Sequence, residues 1–243
     1  MENEILNTKQ NFENYVPHEG NNFAVHMAKE IVIFCTDDLH YDGLYLYGDD
    51  GVGKTHLLQA VGNSCQKEHS VVYSTIEIFM NEFTDHLRAQ TMDQFRGKYR
   101  TCDLLLIDDF EYIQGKEQTQ EELYYALEAL KLQSRKFIIA SRKPLSSLEI
   151  SPALKNILYE CIVEEIKPPN SDTLTAIVQS LCQKTGLKLQ EEMVAYIVKK
   201  VNGNTFKAKG IIHKLDMQCK QHKQVISMEQ LQEVVTEYME GEV

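Results

Sequence analysis

The chain has 243 residues, 43% of them hydrophobic, and a formal net charge of −11. That length suits one large domain, or a medium domain with a small companion, and supplies enough apolar side chains for a packed core. The overall acidity argues against a broad non-specific grip on nucleic acid, which needs clustered Lys and Arg.

The opening MENEILNTKQ is polar and acidic and does not read as a secretory leader. The longest apolar run, Ile31–Cys35, is too short to span a bilayer. The first strand expected is Leu44–Tyr47, followed by a helix over Thr55–Cys65. Val71–Ser74 reads as a second strand, and Glu77–Ala89 as a helix with Ile78, Phe79, Phe83 and Leu87 near helical spacing. Leu104–Asp108 is the third strand, and Gln118–Gln133 a helix carrying Leu123, Tyr124, Leu127 and Leu130 on one face. Phe137–Ser141 is the fourth strand and Cys161–Ile166 a weaker fifth. Strands alternating with helices predict βαβ units and a parallel sheet covered on both faces.

After KPPN (Lys167–Asn170) the strand pattern stops, since Pro168 and Pro169 cannot continue a ladder and Ser171 or Asp172 can cap a helix. Amphipathic helices follow over about 171–184, 190–201, 205–220 and 228–239. The expectation is an α/β domain over residues 1–167 and a small all-helical domain over 168–243. The six cysteines (Cys35, Cys65, Cys102, Cys161, Cys182 and Cys219) form no close pair, so reduced thiols and a cytoplasmic setting are expected. Lys199, Lys200, Lys207, Lys209, Lys214, Lys220 and Lys223 stand against one acid, Asp216. This stretch reads as a solvated helix surface or as a docking patch for DNA or an acidic partner.

The chemistry concentrates in two places. Gly48-x4-Gly53-Lys54-Thr55 has the P-loop spacing, within YGDDGVGKTH after the first strand and at the start of a helix. Glycines let backbone N–H groups turn inward around phosphates, a lysine neutralises their charge, and a Thr hydroxyl ligates Mg²⁺. The following helix adds its positive N-terminal end. The loop residues Gly48, Gly51, Val52, Gly53, Lys54 and Thr55 are therefore candidates for binding ATP or ADP. LLLIDDF is an apolar strand ending in two acids: Asp108 is the candidate beside Mg²⁺, with Thr55, and Asp109 the candidate that polarises an attacking water. Asp49 and Asp50 sit awkwardly in this loop. A carboxylate held near a phosphate costs up to about 4 kcal/mol at roughly 4 Å and an effective dielectric of about 20, unless it points to solvent.

On these residues the chain resembles the AAA+ domain of the bacterial replication initiator DnaA family and its short relatives. The resemblance rests on NFENYV (Asn11–Val16), GDDGVGKTHLLQAVGN (Gly48–Asn63), NEFTDHLR (Asn81–Arg88), FRGKYR (Phe95–Arg100) and LLLIDDFEYIQGKEQTQEEL (Leu104–Leu123). It runs from about Asn11 onward and fades after Lys143. It implies an α/β P-loop NTPase with a parallel five-stranded sheet between helices, followed by a helical lid. It also adds Tyr15, Val16 and His56 to the nucleotide-binding candidates.

Three stations depart from the family pattern. Arg142 stands in ASRKP where the family has an acidic sensor. Ile157 occupies the place of the arginine finger, and Phe206 that of the lid's sensor arginine. The resemblance thus implies a stand-alone AAA+ module that binds ATP or ADP with Mg²⁺ and hydrolyses it slowly. Such a module would control replication initiation through contact with the full-length initiator, as a cytoplasmic monomer or weak dimer with no membrane contact. A second reading is a single-stranded DNA binder using Arg88, Arg96, Lys98, Arg100 and Lys116, and a third a helicase loader.

Overall fold

A computed structural model describes residues 6–33, 41–222 and 226–240; Cys35 and Lys223 lie outside the described residues. The chain divides into two compact units. One holds the chain up to Asp49 together with Lys54–Ile166, the other Asp50–Gly53 together with the chain from Lys167 onward.

In the first unit the order is α1 (Asn22–Ile33), β1 (Gly43–Tyr47), α2 (Lys54–Cys65), β2 (Val71–Thr75), α3 (Ile76–Ala89), α4 (Met92–Arg100), β3 (Leu104–Asp108), α5 (Glu117–Leu132), β4 (Lys136–Ser141), α6 (Pro152–Tyr159) and β5 (Ile162–Glu165). The five strands pair in parallel in the order β2-β3-β4-β1-β5. Leu46 lies opposite both Ala140 and Glu164, and Ile107 opposite Ile139. With β4 inserted between β3 and β1, their carboxyl ends open side by side, where α/β sheets place their ligands.

Strand alternation divides the core. Tyr45, Leu105, Ile107, Phe137 and Ile139 point to one face, into a cluster with Phe79, Phe95, Tyr99, Leu123, Leu127 and Leu130. Their neighbours Leu44, Leu46, Leu104, Leu106, Ile138 and Ala140 are equally buried on the other face, the alternation a pleated strand imposes.

Three helices escaped the periodicity reading: α1, α4 and α6. In α4 only Phe95 and Tyr99 are buried, one turn apart, with Met92 partly buried against the same core and Asp93, Gln94, Arg96, Lys98 and Arg100 polar. Those two rings meet Phe79 of α3 at 5.1 and 4.7 Å and so fix the helix without a wide apolar stripe. Helix α6 has only eight residues, started by Pro152 with Ser151 accepting the Leu154 N–H at 3.4 Å.

The second unit is helical: α7 (Ser171–Thr185), α8 (Glu191–Val201), α9 (Thr205–His222) and α10 (Met228–Glu240). Asn170 caps α7 by accepting the Thr173 N–H at 2.9 Å, and Gly186 ends it in the left-handed region at φ 79°. Leu174, Val178, Ile197, Ile211, Ile212, Leu215 and Leu231 form this unit's own core. No helix among the described residues is long and apolar enough to cross a membrane.

Candidate functional site

The loop after β1 turns on three glycines with positive φ: Gly48 at 152°, Gly51 at 80° and Gly53 at 105°. Side chains disfavour such angles, and glycine admits them freely. Lys54 opens α2 and is 8% exposed. Its Nζ donates to the Gly48 carbonyl at 2.6 Å and the Asp49 carbonyl at 2.8 Å, so the ammonium lies over the loop. Thr55 and Gly53 are half-buried and Val52 is buried. Asp49 and Asp50 are exposed, the arrangement that keeps their charge in solvent. Within the second unit, Thr205 donates both its hydroxyl and its backbone N–H, the latter at 3.2 Å, to the Gly51 carbonyl.

At the end of β3, Asp108 is only 2% exposed. Its Oδ1 accepts the Asp109 N–H at 3.0 Å and its Oδ2 accepts the Tyr73 hydroxyl at 3.3 Å. Asp109 sits in the left-handed region at φ 54° and starts the short 3-10 turn Phe110–Ile113. Its carboxyl is held above the usual carboxylate range, first by burial and then by Asp108 and Glu111; Arg142 and Lys54 oppose the shift. Asp108, Asp109 and Lys54 thus share one electrostatic neighbourhood.

Glu111, which the sequence reading passed over, is buried in that neighbourhood. Its Oε2 accepts the Ser141 hydroxyl at 3.1 Å and the Arg142 N–H at 3.0 Å. Arg142 Nε lies 3.0 Å from Oε1 as an ion pair without hydrogen-bond alignment, and its guanidinium sits 5.7 Å over the Tyr112 ring. The side chain at the expected sensor position is therefore committed to Glu111.

The candidates from the N-terminal segment come together with α2. Tyr15 is buried, its hydroxyl accepts from Asn21 Nδ2 at 3.3 Å, and burial pushes its pKa up. Val16 is half-buried and its carbonyl accepts from the same Asn21 amide at 3.3 Å. The His56 ring meets Tyr15 edge to face at 5.1 Å. His56 Nε2 lies 2.7 Å from Asn14 Oδ1 and 3.2 Å from the Asn11 carbonyl, so this ring is turned toward the segment rather than the phosphate loop.

Ile157 is 7% exposed and belongs to the core of the first unit. Lys155 on the same helix donates to the Ser146 and Leu148 carbonyls at 3.3 and 3.1 Å. Phe206 is 58% exposed in the first turn of α9. Of the cations weighed for DNA, Lys98 contacts both Glu82 oxygens at 2.7 Å, while Arg96 and Arg100 converge on Glu122 at 3.3 and 2.5 Å.

No group of three or more His, Cys, Asp or Glu that could hold a metal occurs among the described residues. Mg²⁺ does not require such a group: it takes one or two protein oxygens and draws the rest from phosphate and water. Asp108 offers one buried carboxylate to such a set.

A family model described as the bacterial DnaA ATPase domain matches residues 6–161, more than half of the chain. The chromosomal replication initiator protein DnaA of Nautilia profundicola is 36% identical over 217 residues, 89% of this chain and 49% of the relative. That of Wolinella succinogenes is 34% identical over 240 residues, 98% of this chain and 54% of the relative. The chain thus spans about half the length of these relatives. Domain III of the Thermotoga maritima replication initiation protein DnaA superposes with a TM-score of 0.90 at 28% identity, covering 97% of this chain and 99% of that one. A replication initiator DnaA bound to AMPPCP and single-stranded DNA gives 0.81 at 30% identity, covering 90% and 70%.

Proposed function

We propose that this chain, which belongs to the bacterial DnaA ATPase-domain family, binds ATP or ADP with Mg²⁺ and controls replication initiation through contact with a full-length initiator, turning its nucleotide over slowly. Its doubly covered five-stranded parallel sheet is the AAA+ P-loop fold of that family. In this reading the helical part after residue 167 is the lid and the protein is a cytoplasmic monomer or weak dimer.

Nucleotide binding is supported by the positive φ of Gly48, by Lys54 folded over the Gly48 and Asp49 carbonyls, and by the buried Asp108 in the same electrostatic neighbourhood as Lys54. Lys54 neutralises phosphate charge, Thr55 and Asp108 hold the metal, and Tyr15 and Val16 line the base. Bound Mg²⁺ would withdraw charge from the phosphate oxygens. Asp109 accepts a hydrogen bond from the attacking water.

One observation carries the regulatory reading: Ile157 is an apolar core residue where a cation would have to project. The family resemblance implies that such a cation couples neighbouring initiator molecules, so in this reading the chain engages its partner by other means.

Single-stranded DNA binding is the second reading, favoured by the ligand of the similar initiator structure. In the first unit a groove of about 560 Å³ is lined by Phe83, Leu87, Met92, Arg96, Arg100 and Tyr125. Its two arginines are already matched by Glu122, which lowers its attraction for phosphate. Capture of purified full-length initiator by the immobilised chain, without DNA, tests the first reading. A salt-sensitive shift of labelled single-stranded DNA with no capture of initiator would overturn it.

A further inference from the structure

One stripe of α2 is polar although both sides of it are buried. His56, Gln59 and Asn63 are spaced i, i+3 and i+7, the interval that aligns side chains along a helix, between the buried Leu57, Leu58, Ala60 and Val61. Each of the three binds the irregular, turn-containing segment from Leu6 to Tyr15. Gln59 Oε1 accepts the Asn7 N–H at 2.8 Å, and Asn63 Nδ2 donates to the Asn7 and Gln10 carbonyls, both at 2.8 Å. His56 holds the far end, at Asn11 and Asn14. The segment comes so close that a methyl at Gly62 would lie 2.7 Å from Leu6 Cδ2.

The proton on His56 follows from its partners. The Asn11 carbonyl can only accept. Asn14 spends its amide on the Lys9 carbonyl at 2.6 Å, which leaves Oδ1 to face His56. Nε2 therefore carries the hydrogen and donates to both. Beyond this anchor the chain turns through Tyr15 and Val16, which Asn21 pins from the other side.

We infer that His56 is a positioning residue for recognition of the nucleobase: it fastens the Tyr15–Val16 wall to the same helix whose first residue, Lys54, meets the phosphates. This rests on the proposed nucleotide binding and deepens it. His56 lies two residues from Lys54, so base wall and phosphate cradle share one rigid element. Loss of the anchor releases the wall and leaves the cradle in place. Base-dependent affinity falls; base-independent affinity stays.

The test compares ATP with inorganic tripolyphosphate, which offers the same phosphates without a base, by calorimetry on the full chain. His56→Ala is expected to weaken ATP about five- to tenfold, the loss of one or two hydrogen bonds, and to leave tripolyphosphate unchanged. His56→Gln, whose amide can reach the position of Nε2, is expected to restore most of the preference. Hydrogen exchange is expected to rise selectively over residues 7–15 in the alanine variant, with or without nucleotide. If His56→Ala does not fold, Asn14→Ala removes the acceptor instead and carries the same expectation. Equal losses for ATP and tripolyphosphate, or an unchanged preference in both variants, would overturn the inference. Failure of the wild type to bind ATP would instead overturn the nucleotide reading itself, and this inference with it.

Discussion

The Tyr73 hydroxyl on β2 donates to Asp108 Oδ2 at 3.3 Å across the β2–β3 pair, while the Asp109 N–H occupies Oδ1 at 3.0 Å. Both oxygens of the buried acid are thus oriented from within the chain, as supporting groups orient the ligands of metal sites. Tyr73→Phe removes one of these bonds without changing the shape of the ring. Net, that is worth about 1 kcal/mol, or roughly fivefold in affinity. The loss should appear only in nucleotide affinity measured with Mg²⁺ and be absent when the metal is chelated. An equal loss under both conditions would show that Tyr73 acts on the fold rather than on the metal ligand.

In the proposed reading Lys54 carries the larger share of phosphate recognition. Its ammonium is the side-chain cation that the loop supplies, and it donates to the Gly48 and Asp49 carbonyls of the loop itself. Lys54→Ala is expected to abolish measurable ATP binding while circular dichroism and the unfolding midpoint stay near those of the wild type. Equal ATP affinity in both proteins would remove the P-loop assignment.

The elements that position the site were legible in the sequence where apolar runs are short and continuous. LYLY, LLLID and FIIAS could only be buried strands once they alternated with helical stretches. The phosphate loop was legible because glycines, Lys54 and Thr55 have a fixed spacing. The contacts that orient the acids were not. Tyr73 reaches Asp108 from β2 and Ser141 reaches Glu111 from β4, and a linear pattern carries no trace of such convergence. The polar stripe His56, Gln59 and Asn63 did leave a trace, a helical interval inside an apolar helix. Its partner is an irregular segment with no periodicity of its own. Arg142 shows in the sequence as a cation, but its commitment to Glu111 is visible only in three dimensions.

Gly43 tests how tightly the centre of the sheet is packed. A methyl group there would lie 2.6 Å from the Phe137 carbonyl oxygen and 2.7 Å from its ring, and the carbonyl is fixed in the β1–β4 ladder. Gly43→Ala is expected to destabilise the protein by about 1–3 kcal/mol, the usual cost of overpacking a core. Urea denaturation reads this as a lower midpoint with an unchanged slope. A midpoint equal to the wild type would mean that β1 and β4 can part without cost.

The Glu111–Arg142 pair should behave as a buried acid with a partly exposed partner. Removing the guanidinium leaves a carboxylate whose Oε2 still accepts from Ser141 and the residue-142 N–H but whose Oε1 loses its ion pair. Breaking fully buried pairs costs about 3–5 kcal/mol. Arg142 is about half exposed, so water takes over part of its role and roughly 2 kcal/mol is expected for Arg142→Ala. Adding Glu111→Gln neutralises the stranded charge and should recover most of that loss. A double variant no more stable than Arg142→Ala would show that the charge was never stranded.

Turnover depends on what stabilises charge at the transferred phosphoryl. The acids are in place: Asp108 is oriented by two bonds and Asp109 stands at φ 54°, an angle that asparagine also tolerates. In the proposed reading cations are the deficit. Ile157 is buried in the core, Lys155 beside it caps two carbonyls, and Arg142 is paired with Glu111. Phe206 offers an apolar ring at the position where the family resemblance places a sensor arginine. A finger arginine contributes about 10³–10⁵ in rate, roughly 4–7 kcal/mol of barrier. Without one, hydrolysis by the isolated chain should fall below about one turnover per minute. Single-turnover measurements with radiolabelled ATP check this, with Asp109→Asn as the control that preserves the backbone turn. Both proteins are expected to bind ATP alike. A wild-type rate of several per second that disappears in Asp109→Asn would show that Arg142 leaves Glu111 when nucleotide is bound and supplies the missing charge, and the slow-turnover reading would fall.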